Sequence, residues 1–114
     1  MGRVVDSYKQ FVELANKSDE AKGLMAGWDR VVQLIIDGED DFYLKIDGGQ
    51  VSLTVGVHES PNVTLKGPEE VMYKMVTREL DATRAYFAKQ YTIEGSMSDA
   101  MKFGRLGTAA AKAQ

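Results

Sequence analysis

No cysteine occurs anywhere in this 114-residue chain. Disulfides, thiolate zinc sites, iron–sulfur clusters and thiol nucleophiles are thereby excluded together. There is one histidine, His58. A multi-histidine metal site and a histidine relay are therefore not expected. His58 has only Glu59 beside it in a loop, and a catalytic base must meet geometry as well as pKa, so it reads as an ordinary surface residue. Long apolar runs are missing too. The longest is Val31-Val32, resumed after Gln33 by Leu34-Ile35-Ile36, where a membrane-spanning helix needs roughly 20 apolar residues. No apolar signal-peptide core precedes Asp6 and Lys9, and the end, Ala111-Lys112-Ala113-Gln114, is not a peroxisomal address, so a cytoplasmic protein is expected. A basic excess is also absent. Lys plus Arg is 14 against 17 Asp plus Glu, a net charge of -3, which argues against a nucleic-acid partner.

The remaining catalytic and cofactor motifs fail on spacing. The glycines form neither a dinucleotide fingerprint nor a phosphate-binding loop. Ser96, in Glu94-Gly95-Ser96-Met97, is not on a nucleophile elbow. The acidic run Asp37-Gly38-Glu39-Asp40-Asp41 places its glycine second rather than sixth, so it reads as a solvated turn and not a calcium loop. No catalytic residue, metal or cofactor is expected.

The chain does have the makings of one domain: 44% apolar and 27% charged residues at a length that supports a single core. Val4, Val5, Tyr8, Phe11, Val12 and Ala15 recur at helical spacing over 4–16, and Ser18 caps a second short helix over 19–26. The period then changes to two. Val32, Leu34 and Ile36, then Phe42, Leu44 and Ile46, then Val51, Leu53, Val55 and Val57 give three strands of an antiparallel meander. Val63-Thr64-Leu65 is a short fourth strand. Pro68-Glu69-Glu70 opens a helix carrying Val71, Met72, Met75 and Val76, with proline at its first position. Asp81 caps another, with Ala85, Tyr86 and Phe87. Tyr91 and Ile93 mark a fifth strand. Ser96 with Asp99 resembles a capping box opening a last helix, with Met97, Ala100, Met101 and Phe103 inward. Residues 107–114 read as a frayed, flexible tail. The order predicts an α+β domain over 1–106, with a five-stranded, mainly antiparallel sheet and about five helices on one face.

The six methionines are the unusual feature of this composition. Met25, Met72, Met75, Met97 and Met101 fall on three predicted helices. A flexible thioether fills irregular gaps in a core, and the same softness lets a pocket repack around varied ligands. Periodicity alone leaves both readings open.

A resemblance bears on that choice. Leu80-Asp81-Ala82-Thr83-Arg84-Ala85-Tyr86-Phe87, followed by Tyr91-Thr92-Ile93-Glu94-Gly95-Ser96-Met97-Ser98-Asp99-Ala100-Met101-Lys102, resembles the sterol carrier protein 2 family. The shared pattern is a leucine–aspartate step, a helix with an alanine–aromatic step, a strand, then glycine, methionine and alanine-methionine-lysine. Trp28-Asp29-Arg30-Val31-Val32-Gln33 and Asn62-Val63-Thr64-Leu65 also fit, so the likeness covers about residues 8–106. Arg78 stands where the family often has glycine, and Ala82 where proline is common.

The resemblance implies an apolar tunnel between sheet and helices. It implies non-catalytic binding or transfer of a sterol, fatty acid or acyl-CoA. The expected ligand-binding residues are Met25, Val32, Leu34, Leu44, Leu53, Met72, Met75, Phe87, Tyr91, Ile93, Met97 and Met101. The last helix, with its loose tail, is the expected gate. The expected partners are a lipid and, transiently, a membrane surface, with the chain a monomer or weak homodimer. The alternative is an accessory domain acting through dimerisation or a partner enzyme, with Val31, Ile35 and Tyr43 on the outward sheet face as its contact patch.

Overall fold

The computed structural model describes residues 2–113. Its elements run α1 (Arg3–Lys17), α2 (Asp19–Met25), β1 (Arg30–Asp37), β2 (Phe42–Asp47), β3 (Gln50–Val55), β4 (Val63–Pro68), α3 (Glu69–Val76), α4 (Ala82–Phe87), β5 (Thr92–Gly95) and α5 (Met97–Lys112). The sheet order is β3-β2-β1-β4-β5. The α+β expectation holds: β1–β2, β2–β3 and β4–β5 pair antiparallel, and only β1–β4 is parallel.

The register aligns the apolar sets. Val55, Phe42, Leu34, Leu65 and Ile93 form one row across all five strands, on one face because the side-chain period is two. The helices cover this face. α1 lies across it and turns Val4, Val5, Tyr8, Phe11 and Ala15 inward. Its N-terminus has no side-chain cap from its own segment. The Glu39 carboxylate, after β1, accepts from Val4 N–H at 3.2 Å instead, satisfying a donor that a helix start leaves free. Asn16 ties the other end to β3, exchanging two 2.9 Å hydrogen bonds with the Val51 backbone.

Several expectations need correction. Val57 is not in β3. Gly56 takes φ 127°, ending the strand, and Val57 is left 69% exposed. The chain from 56 to 62 then crosses the outer face to reach the far side of β1, which makes β4 parallel to β1. Gln33 holds that crossing. Its Nε2 donates to the carbonyls of Phe42 (3.0 Å) and Gly56 (3.1 Å), and His58 N–H donates to its Oε1 at 2.8 Å. The His58 ring rests edge-on against Tyr43 at 5.0 Å. Val31 and Gln33 are buried for the same reason, so the supposed contact patch on the outward face is partly covered by the chain itself.

Pro68 is the last residue of β4 and precedes α3 rather than opening it. Only half of the Ser96–Asp99 capping box forms. Ser96 Oγ accepts from Asp99 N–H, but the Asp99 carboxylate turns to Trp28 Nε1 (3.2 Å) and Arg30 Nε (3.0 Å), fastening α5 to β1. Residues 107–112 are not a frayed tail. They are the last turns of α5, with Leu106, Ala109 and Ala110 buried against α1 and α2. Small alanines allow that close approach, and low hydropathy at a chain end hides it. Met1 and Gln114 lie outside the described residues.

Replacing Gln33 with Leu keeps the volume and strands two carbonyls and one N–H. The expected cost is about 2 kcal/mol, with residues 56–61 becoming the first site of limited proteolysis. Urea unfolding and cleavage mapping would check this. An unchanged midpoint would show that the crossing is held by something else.

Candidate functional site

The sheet face is not covered evenly. α1 and α2 fill the space over β3, β2 and β1. Over β4 and β5 the cover is α3, α4 and α5, and these leave a cavity of about 730 Å³. Its floor is Leu65, Tyr91 and Ile93. Met75, Val76, Arg78 and Leu80 form one wall, and Ala82, Thr83, Tyr86 and Phe87 of α4 another. α5 contributes Met97, Ala100, Met101, Phe103, Gly104, Arg105, Gly107 and Thr108, and Tyr8 and Phe11 of α1 close the inner end.

Of the residues expected to meet a ligand, Met75, Phe87, Tyr91, Ile93, Met97 and Met101 do line this space. Met25, Val32, Leu34, Leu44, Leu53 and Met72 do not. All but Leu53 are sealed in the core, and Leu53 packs against it. The cause is α1, whose apolar stripe occupies the ground over the central strands where a longer tunnel would run. Met97 and Met101 are not inward residues. They are 41% and 62% exposed and, with Phe87 at 76%, ring the mouth. Exposed large apolar side chains gathered at one opening are unusual on a monomer surface.

Residues missed from the sequence are mainly small or polar. Ala100, Gly104 and Gly107 repeat at i, i+4 and i+7 along α5 and recede from the cavity. A Cβ added to Gly104 would meet nothing within 4 Å. Two glycines inside one helix were the available sign, since each lowers helix stability by about 1 kcal/mol relative to alanine. Nor is the end of α5 the weakly held wall. It is packed against α1 and α2, and Lys112 stands 3.8 Å from Glu20. α4 buries only Ala85 and is tethered by the Tyr91 hydroxyl, which donates to Ala82 O at 3.0 Å.

The electrostatics of the lining are simple. Burial pushes the Tyr8 phenol far above its ordinary pKa; neighbouring Tyr91 adds to this and Arg78 opposes it. Burial likewise raises Tyr91. Both therefore stay protonated at neutral pH, as hydrogen-bonding groups and not bases. An empty sealed void of this size would cost about 17 kcal/mol at roughly 24 cal/mol per Å³, more than the 5–15 kcal/mol a whole domain has to spare. The cavity is instead open at its mouth, so it is filled, by water or by something better matched to its walls.

A family model described as the SCP-2 sterol transfer family matches residues 9–107. The chain belongs to that family. Membership implies lipid binding or transfer. Among solved structures, the sterol carrier protein domain 2 of Helicoverpa armigera superposes with a TM-score of 0.74 at 23% identity, covering 96% of this chain and 89% of that one. Sterol carrier protein 2 from Aedes aegypti, solved with the C16 fatty acid palmitate, superposes at 0.72 with 12% identity over 96% and 97%. The sec-alkylsulfatase Pisa1 from Pseudomonas sp. matches at 0.67 with 21% identity over 84% of this chain, which spans only 15% of that enzyme. No curated protein matches the sequence. At these identities the structural likenesses establish the sterol carrier protein 2 fold.

Gly104 gives a direct check of the cavity wall. Gly104→Ala should stabilise the protein by about 1 kcal/mol, because the added methyl meets open space. Thermal or urea unfolding measures it. A destabilised variant would mean that the wall is closed at that point.

Proposed function

We infer that this protein binds or transfers an apolar lipid, without chemistry, in the cavity between β4–β5 and the helices α3, α4 and α5. The observation that carries the reading is the cavity: about 730 Å³, walled mainly by apolar side chains and entered past exposed Phe87, Met97 and Met101. Its volume falls within the usual 300–1,000 Å³ of small-molecule sites. Met75, Phe87, Tyr91, Ile93, Met97 and Met101 are the proposed contacts, with methionine softness accommodating different tails. Each buried CH2 returns roughly 0.8 kcal/mol, so affinity should rise with chain length. The apolar mouth suits brief contact with a membrane surface, at which a ligand passes without crossing water. A cytoplasmic monomer is the corresponding proposal for location and state; no helix among the described residues is long and apolar enough to cross a membrane.

The sulfatase likeness supports a second reading, since there the same fold is a small part of a large enzyme. On that reading the chain is an accessory domain working through a partner or a dimer. Light scattering during size exclusion distinguishes the two: a monomer at high concentration disfavours dimerisation.

The main test is to extract and identify lipid that co-purifies with the protein, alongside displacement of a fluorescent fatty acid. Gly104→Trp should weaken saturable binding at least tenfold while leaving the unfolding temperature unchanged or higher, because the indole occupies the ligand's space. If no lipid is recovered and displacement never saturates, the lipid-binding reading fails. Phe87→Asp should slow exchange with vesicles more than it weakens binding.

A further inference from the structure

Arg78 holds a backbone conformation that suits glycine. It follows α3 with φ 69°, and the N–H groups of Arg78 and Glu79 close the helix by donating to Met75 O and Lys74 O. That left-handed position disfavours any residue with a Cβ. A non-glycine residue kept there invites a functional explanation for its side chain. Lys89 closes α4 in the same way, and both side chains are exposed, but that of Lys89 makes no hydrogen bond or ion pair among the described residues. The Arg78 side chain reaches across the cavity wall to α5. Its Nη2 donates to Thr108 Oγ1, and its Nη1 lies 3.3 Å from where a Cβ on Gly107 would stand. A cation that merely complemented the end of α3 would need no such reach.

No carboxylate among the described residues pairs with Arg78. Asp81, the acidic residue of the lining, caps α4 through Thr83 N–H and faces Arg84 at 3.8 Å. A second polar group lies deeper. Tyr8 is 5% exposed, yet its hydroxyl has no hydrogen-bond partner among the described residues. Every sealed side-chain polar atom of the described residues does have one, so this hydroxyl opens into the cavity that Tyr8 lines. The cavity therefore has two ends. Along α5, apolar Met97 and Met101 lead to Arg105 and Thr108, and the helical rise separates Met97 from Thr108 by about 16 Å.

We propose that the cavity selects a single-chain amphiphile with an anionic head, the Arg78 guanidinium and Tyr8 hydroxyl holding the head while the tail runs toward Met97 and Met101. The proposal rests on the lipid-binding reading and narrows it. A carboxylate and a phosphate monoester both offer the oxygen pair that a guanidinium fork binds. A neutral sterol or ester would cover that charge and the phenol with apolar surface and return nothing for their lost water.

The test titrates the intact protein, stripped of lipid, with dodecanoic acid, dodecyl phosphate and methyl dodecanoate. At least one anion should bind about tenfold more tightly than the ester, and the tighter of the two identifies the head group. Arg78→Gly should abolish that preference while raising the unfolding temperature, since it relieves the backbone. Arg78→Met should abolish it with side-chain bulk retained, and Tyr8→Phe should reduce it. Equal affinity of acid, phosphate and ester in the parent protein, or a preference that survives Arg78→Gly, overturns the proposal and leaves lipid binding standing. Saturable binding of none of the three overturns both.

Discussion

The packing of α1 on the central strands governs everything else in this structure. Its stripe of Val4, Val5, Tyr8, Phe11 and Ala15 sits over β1, β2 and β3, where the apolar rows of the sheet converge. Tyr8 is the centre of an aromatic group, 5.4 Å from Phe42 on the sheet, 5.7 Å from Phe11 on its own helix and 6.3 Å from Phe103 on α5. Buried rings of this kind supply on the order of 4 kcal/mol each from area alone. The group is both the keystone of the closed core and the inner end of the open cavity.

The opposite half of the sheet is built with weaker cover. α4 is short and buries one residue, and α5 lines the cavity with Ala100, Gly104 and Gly107 between its larger apolar side chains. Stability is therefore concentrated at one end of the molecule and accessible volume at the other. That separation lets a chain of 114 residues keep a cavity at all: its core need not collapse into the space. The anchors of α5 lie outside the cavity, Asp99 on Trp28 and Arg30 at the start, and Ala109 and Ala110 against α1 and α2 toward the end. The helix can line an opening because it is held at both ends.

Most of the architecture was legible from period alone. Alternation over 30–36, 42–46 and 51–55 and helical spacing over 4–16 name their elements because each has one face buried and one exposed. Legibility stopped where burial departs from that rule. Gln33 reads as an outward residue, yet the 56–62 crossing covers it. The end of α5 reads as a tail because its buried residues are alanines. Phe87, Met97 and Met101 read as inward because they are large and apolar, yet they stand at the mouth. Of the expected ligand contacts, those on α3, α4, β5 and α5 did converge, Met72 excepted, while those on α2 and the central strands went to the core.

The sequence by itself determined the fold class, the strand faces, the absence of thiol and multi-histidine chemistry, and the family. Those follow from residue type and spacing, which act locally. It did not determine which half of the apolar face would stay open, nor that Arg78 and Tyr8, far apart in the chain, would line the same opening. Both outcomes depend on where α1 comes to rest, and that is set by the joint packing of five strands and five helices rather than by any segment's own preference.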